Sequence, residues 1–460
     1  MGDYRFLPYE PEKPLLLPPD MHAWLPDDHL ALFISDLVDS LDLGEIVAKY
    51  LHLEGGHPAY HPAMMLKLIF YGYCVGIRSS RRIEQKTYED VAFRVLSCDT
   101  HPDHSRIADF RKRHLPEISR LFVQVLEICK ESGLVKLGHV ALDGTKVKAN
   151  ASKHKAMSYA RMKKREPELA AEVDRLLAEA AALDDQEDKK YGKGKRGDEL
   201  PKELRFKQAR LAKIRKAKQA LEEQARKEAI EAGKLDQDGN PPPGGAAGSS
   251  EPPAGIPKDK QQRNFTDPES RIMLDGATKA FVQGYNAQAA VDCESQVIVA
   301  ADVTQQANDK QQLVPMVDRI EDNLGEIPDR VLADAGYFVE EKVESLANNF
   351  IEPFIPRDRI KHSDPPRQAP RGRIPNDTSP VDRMLRKLKT KAGKKTYLKR
   401  KETVEPVFGQ IKEARGIRAF LLRGLEEVKA EWSLICLTHN ILKLWGLFCP
   451  DGRRSAHAFG

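Results

Sequence analysis

Two aspartates carry the first chemical signal. Asp143 lies in Gly138-His139-Val140-Ala141-Leu142-Asp143-Gly144-Thr145-Lys146-Val147, and Asp334 in Arg330-Val331-Leu332-Ala333-Asp334-Ala335-Gly336-Tyr337. Each is an apolar β-type run that ends on a carboxylate followed by small residues, which let a ligand come close to the chain. One such aspartate, taken singly, is most simply a turn residue at a strand end. Two of them, on strands that can lie side by side in one sheet, bring like charges together. A hard divalent cation such as Mg2+ relieves that repulsion with carboxylate and water ligands. A third acid is then sought on a helix after the sheet. The segment from Tyr397 to Lys412 supplies two, Glu402 and Glu405, among lysines and arginines. Glu405 and Lys412 are about two helical turns apart, so a continuous helix puts them on one face: a metal-binding acid beside a phosphate-binding cation. Glu402 could reach the same side, and either glutamate could equally be a solvated partner for the lysines around it. His101, His104 and His114 cluster near Asp103, but their spacing matches no zinc pattern.

The elements that must hold these residues can be read from periodicity. From Asp28 to about Gly133 the chain reads as helices with short polar breaks: Leu30, Leu32, Phe33, Leu37 and Leu41 follow helical spacing, and Pro62 opens a buried apolar run, Met64 to Val75. Ser80 can cap a basic helix carrying Arg81 and Arg82, and Ser105 one carrying Arg106, Arg111, Lys112 and Arg113. The period changes at His139. After the Asp143 strand come strands over Phe281–Val291 and 296–303, joined as a hairpin through Asp292-Cys293-Glu294-Ser295. A helix capped by Asn308 or Asp309 runs to about Glu321, the Asp334 strand follows, then a helix (340–349) and a strand (352–356). The expected fold class is therefore α/β, a mixed sheet with both carboxylates at strand ends, preceded by an all-α N-terminal domain. Between Asp143 and the hairpin, about 158 to 233 is rich in Ala, Leu, Glu, Lys and Arg and predicts two helices folding back, broken at Tyr191–Gly197. Asp236 to Lys260, with Asn240-Pro241-Pro242-Pro243-Gly244-Gly245, reads as a linker. Trp432, Leu434, Leu437, Ile441, Leu442 and Trp445 form an apolar helical face expected to pack on the sheet.

Composition sets the bounds. The 460 residues exceed a single small module, and 40% hydrophobic residues leave enough for real cores despite 31% charged ones. No stretch reaches the roughly 18 to 20 apolar residues of a membrane span, and Met1-Gly2-Asp3-Tyr4-Arg5 lacks a signal-peptide pattern. An intracellular, cytoplasmic protein is expected. The six cysteines are scattered with no CxxC pair, against both a zinc site and a disulfide scaffold. Lys+Arg 74 against Asp+Glu 69 gives a net charge of only +5, but the bases are concentrated. Arg383, Arg386, Lys387, Lys389, Lys391, Lys394, Lys395, Lys399, Arg400 and Lys401 form a run before Glu405 suited to phosphates.

Taken together, Ala141-Leu142-Asp143-Gly144-Thr145, Gly284-Tyr285-Asn286-Ala287-Gln288, Ala333-Asp334-Ala335-Gly336-Tyr337, and Tyr397-x-x-Arg400 leading to Val404-Glu405 and Phe408-Gly409-x-x-Lys412 resemble the DDE-type transposases of bacterial insertion sequences. The similarity runs through nearly the whole chain. It implies a ribonuclease-H-like catalytic core. It assigns Asp143, Asp334 and Glu405 as a catalytic, metal-binding triad holding two Mg2+ ions, for which Mn2+ can substitute. It makes Tyr397, Arg400 and Lys412 helpers at the transposon end. Four residues separate Arg400 from Glu405 where the family usually has three, so Lys401 can take the arginine's part. Arg81, Arg82, Arg106, Arg111 and Arg113 are expected on a helix-turn-helix-like surface that reads terminal inverted repeats. The implied plan is a helical DNA-binding domain (1–135), the first part of the core (136–152), a helical hairpin insertion and linker (153–262), the rest of the core (263–450) and a tail (451–460). The implied partners are terminal-repeat DNA, target DNA and a second copy of the chain on DNA, near the nucleoid and away from membrane. A metal-dependent nuclease without strand transfer and a DNA-binding regulator derived from such an enzyme are the alternatives.

Overall fold

The computed structural model describes residues 20–50, 59–191, 202–236, 254–276, 278–358, 372 and 378–450. The expected linker around Asn240–Gly245, the break after Tyr191 and the tail 451–460 lie outside the described residues. The chain divides into two compact units, Met1–Val135 with Leu434–Gly460, and Lys136–Ser433.

The first unit is helical: α1 (Leu30–Ser40), α2 (Gly44–Ala48), α3 (Pro62–Cys74), α4 (Ser80–Glu89), α5 (Val91–Leu96), α6 (His104–Arg113) and α7 (Leu115–Glu131). Pro62 starts α3, where its missing N–H costs nothing, and Met65, Leu66 and Leu68 through Cys74 are all buried. Two expected caps shift toward the N-terminus, by one and by two residues. Ser80 is already helical, with Ser79 before it. Asp103 rather than Ser105 caps α6, because its carboxylate accepts from both Ser105 N (2.9 Å) and Arg106 N (3.1 Å).

The second unit holds β1 (Val140–Lys148), β2 (Ala156–Ser158), α8 (Tyr159–Tyr191), α9 (Lys202–Glu231), β3 (Gln262–Asn264), β4 (Arg271–Leu274), β5 (Phe281–Asp292), β6 (Ile298–Thr304), α10 (Leu313–Leu324), β7 (Arg330–Leu332), α11 (Glu340–Asn348), β8 (Glu352–Phe354), α12 (Pro380–Leu388), α13 (Lys391–Gly409) and the first part of α14 (Leu425–Phe448), as far as Ser433. The sheet runs β4-β5-β1-β7-β8, with β6 also on the outer edge of β5. β1 pairs antiparallel to β5 over its whole length, and β7 and β8 are parallel to it and to each other. This six-stranded mixed sheet, helix-covered and built from β1, β4, β5 and β6 in antiparallel pairs followed by the two crossover strands β7 and β8, is the ribonuclease-H-like core that the resemblance implies.

The insertion leaves that sheet unbroken. β2 and β3 pair antiparallel, Ala156 with Asn264 and Ser158 with Gln262, so the chain leaves and returns at one place. Beyond them α8 and α9 form the expected helical hairpin around Met162, Leu169, Val173, Leu204, Leu211, Ile214 and Leu221. Glu166 of α8 bridges to Arg215 (3.2 Å) and Lys218 (2.9 Å) of α9.

Two expectations are corrected. α10 begins at Leu313 with Gln312 at its cap, so Asn308 and Asp309 lie in the preceding loop and cap nothing. α14 does not pack on the sheet along its whole length. Trp432 does, donating from Nε1 to Gln288 O (2.8 Å) in β5. From Leu434 onward its residues group with the helical unit, where Cys74 Sγ donates to Thr438 O (3.5 Å) and Trp445 Nε1 to Asp28 O (2.9 Å).

Candidate active site

The site is built where β7 stops and β1 continues. Pairing between them covers only Val140 with Val331 and Ala141 with Leu332. Asp143 is therefore not at the end of its strand, as expected, but fourth of nine residues, opposite Ala289 of β5. What ends there is the neighbour, and the short β7 leaves this edge of β1 open. Asp334, two residues past β7, caps the short 3-10 turn Ala335–Tyr337 by accepting from Gly336 N (2.7 Å). Asp143 Oδ1 accepts from Gly144 N (2.9 Å), and its Oδ2 accepts from Arg400 Nη1 of α13 (3.0 Å). The side chains of Arg400 and Asp143 are only 13% and 22% exposed.

Electrostatics tie these groups together. Burial pushes the Asp143 carboxyl up to about 6; Arg400 opposes the shift, and the Asp334 and Asp309 carboxylates add to it. Burial also raises the fully enclosed Tyr337 hydroxyl well above its ordinary value, with Asp309, Asp143 and Asp334 all contributing. The ammonium of Lys146 is lowered by burial, against the pull of the same three acids. Tyr397 of α13 is raised by burial, and the Arg400 guanidinium sits 5.9 Å from its ring centre. Lys412 Nζ donates to Thr145 Oγ1 and to Lys146 O (2.9 Å), within three residues of Asp143.

Asp143, Asp334, Tyr397 and Arg400 are thus brought together, with Lys412 at the adjoining stretch of β1. Glu405 is not: its side chain is 61% exposed and its partner is Lys401 (3.7 Å). Glu402 and Lys401 are exposed as well. The helix face decides this, because α13 buries Thr403, Val404, Val407 and Phe408 and leaves the intervening acids outside. A π turn over Gln410–Ala414 then breaks the helical phase, so the spacing that would align Glu405 with Lys412 on a continuous helix does not apply. Pro406 has no N–H for the carbonyl of Glu402, and Gln296 Nε2 donates to that carbonyl instead (3.2 Å).

Sequence reading missed a polar network behind the aspartates. Asn286 and Gln288 are fully buried on β5. Asn286 Nδ2 (2.6 Å) and Gln288 Nε2 (2.7 Å) both donate to Asp309 Oδ1, and the Tyr337 hydroxyl donates to Gln288 Oε1. A Cβ on Gly144 would stand 2.6 Å from Asp309 Oδ1 and 2.9 Å from Asn286 Oδ1, so only glycine fits there. The available signal was two amides at alternate positions, hence on one face, of a strand otherwise buried and apolar. Among the described residues no group of three or more His, Cys, Asp and Glu is placed to hold a metal ion as the chain stands.

The basic residues divide. Arg81 and Arg82 on α4 and Arg113 on α6 are exposed, and Arg106 is 67% exposed beside Asp103 (3.9 Å). Arg111 is corrected: at 6% exposure it donates to Tyr73 Oη (3.2 Å) and Arg78 O (3.0 Å), and it belongs to the core of the helical unit. The run before Glu405 is helical, spread over α12 and α13, with Arg383, Lys389, Lys391, Lys394 and Lys395 exposed.

Residues 19–113 match a family model described as Transposase domain (DUF772), and residues 260–441 match one described as Transposase DDE domain. Asp334 and Glu405 fall inside the second match, whereas Asp143 falls outside both and is located by the sheet. No curated protein and no solved structure matches the chain. Among the described residues no helix is long and apolar enough to cross a membrane.

Proposed function

Because the chain belongs to the DDE transposases of insertion sequences, we propose that it binds the terminal inverted repeats of such an element, cuts the strands there and joins them to target DNA. The observation that carries this reading is the meeting of Asp143, Asp334 and Arg400 in the notch beside β7, with Lys412 of the π turn bonded to the adjoining stretch of β1. Carboxylate oxygens crowded together with few donors suit a hard divalent cation. Asp143 and Asp334 would hold Mg2+, or Mn2+ in its place, and Glu405 would complete the triad on leaving Lys401. When bound, two such ions supply an activated water or 3′-hydroxyl and stabilise the leaving oxygen.

The chain's own groups do the positioning. Lys412 and Arg400 are suited to the phosphates flanking the scissile bond, and Tyr397 offers a ring beside them. Lys401 and the exposed bases of α12 and α13 neutralise the DNA leading to the notch. Arg81, Arg82, Arg106 and Arg113 offer a second basic surface, on the helical unit, for the repeats. Two ends must be handled in one event, so a dimer on DNA follows from the reaction.

The test uses DNA carrying the inverted repeats that border the gene, with Mg2+. Wild type should cut and join it, whereas Asp143→Asn and Asp334→Asn should bind the ends normally and cut nothing. Cutting without joining would reduce the protein to a nuclease, binding without cutting to a regulator, and normal cutting by Asp143→Asn would refute the site.

A further inference from the structure

We propose that the helical insertion is a DNA-binding arm, whose outer α9 face grips the phosphate backbone of a duplex. The inference rests on the DNA reading above and gives the arm a share of that duplex.

The arm carries both signs of charge along its sequence, and the fold sorts them. Between Lys202 and Lys218, α9 holds eight bases and one acid, whereas from Gln219 to Glu231 it holds two bases and four acids. In the basic half, the side toward α8 is neutralised. Glu172 takes Lys207 (3.3 Å), which Glu203 also holds (2.9 Å), and Glu166 takes Arg215 and Lys218. Burial of Leu204, Leu211, Ile214 and Ala217 fixes which side that is. Arg205, Arg210, Lys213 and Lys216 are left exposed, and none of them has an ion-pair partner among the described residues.

At 3.6 residues per turn, Arg205, Lys213 and Lys216 fall within about a quarter turn of one another, with Phe206 and Arg210 at the border of the row. The rise from Arg205 to Lys216 is roughly 16 Å. That exceeds the ~12 Å width of a DNA major groove, so the row reaches phosphates on both of its sides. Unpaired cations in a row repel one another until an anion faces them, and a duplex offers about one negative charge per 1.7 Å of its axis. A second copy of the same face would set bases against bases, so the exposed ring of Phe206 (66%) does not make it a dimer contact.

The arm is also tied to the catalytic sheet. β2 and β3 pair at its root, and the Tyr159 hydroxyl donates to Glu222 Oε1 of α9 (2.7 Å). Arg271 of β4 donates to Gln224 Oε1 of α9 (3.3 Å) and to Gln305 Oε1, just past β6 (3.2 Å). A duplex held by α9 is thereby held relative to the notch.

The experiment measures binding of the full-length protein to two duplexes over a salt series, one carrying the bordering inverted repeats and one of unrelated sequence. Melting, and sedimentation without DNA, are followed alongside. Arg205→Gln, Lys213→Gln and Lys216→Gln, made together, keep good helix formers on an exposed face and should melt like wild type. On both duplexes the triple variant should bind about tenfold or more weaker at ~0.1 M salt, and the slope of log affinity against log salt should fall by about two to three. Wild-type affinity and slope on both duplexes overturn the proposal, and so does a loss confined to the repeat duplex, which would mean base reading rather than a backbone grip. Loss of self-association with an unchanged slope, the mark of a dimer contact, equally overturns it, as does a lower melting temperature, the mark of a structural role. A wild-type protein whose binding does not weaken with salt would instead bring down the DNA reading itself.

Discussion

Replacing Asp143 by asparagine should shift the stability balance of the metal-free protein toward the variant as pH rises. The Asp143 carboxyl sits at about 6 against an ordinary 3.8, raised chiefly by burial. The unfolded chain therefore gives up this proton first. Between about pH 4 and 6 the folded state loses ground as pH rises, and above 6 the penalty stays constant. At about 1.4 kcal/mol per pKa unit the full penalty is ~3 kcal/mol, and roughly 2–3 kcal/mol of it develops between pH 4 and 7. Asparagine carries no such penalty. It does cost Arg400 an acceptor, but that loss is the same at every pH and cancels when two pH values are compared. Urea unfolding of both proteins in EDTA, at pH 4 and pH 7, isolates the quantity. The stability difference, variant minus wild type, should grow by roughly 2–3 kcal/mol from pH 4 to pH 7. A difference that is flat with pH, or that grows on acidification, would refute the placement of Asp143 among buried like charges.

Two further outcomes test the scaffold. Arg106→Ala should weaken DNA binding and lower the slope of log affinity against log salt by about one, whereas Arg111→Ala should lower the melting temperature of the helical unit and leave that slope unchanged; filter binding over a salt series separates them. Glu431 is fully buried and accepts from Leu421 N (3.1 and 2.9 Å) and Leu422 N (2.9 Å), so Glu431→Ala should cost about 2–4 kcal/mol in urea unfolding by stranding those donors, and Glu431→Gln less.

Much of the fold was legible because its signals are local. The β1 run, the β5–β6 hairpin, α11, β8 and the helices of the insertion are each written in periodicity and turn residues that need no distant partner. Asp143 and Asp334 were legible for the same reason, as acids closing apolar runs. What failed was whatever depended on a helix's rotation or on a neighbour's length. Arg111 reads like Arg106 in the sequence, but it falls on the buried side of α6 and meets Tyr73. Asp309 reads as a helix cap until α10 is seen to begin at Leu313.

By itself the sequence determined where β1, β5, β6, β7 and β8 follow one another along the chain, the site of the insertion and the two aspartates, since hydrophobic period and turn chemistry act over a few residues. Tertiary structure alone decided which charges share the notch. β7 ends early and leaves Asp143 open in the middle of its strand. The packing of Val404, Val407 and Phe408 turns Arg400 in and Glu405 out. Asn286 and Gln288 reach across from β5 to draw Asp309 in. Burial and long-range pairing set those positions, and of these only the alternate amides of β5 leave a trace in the spacing of residues along the chain.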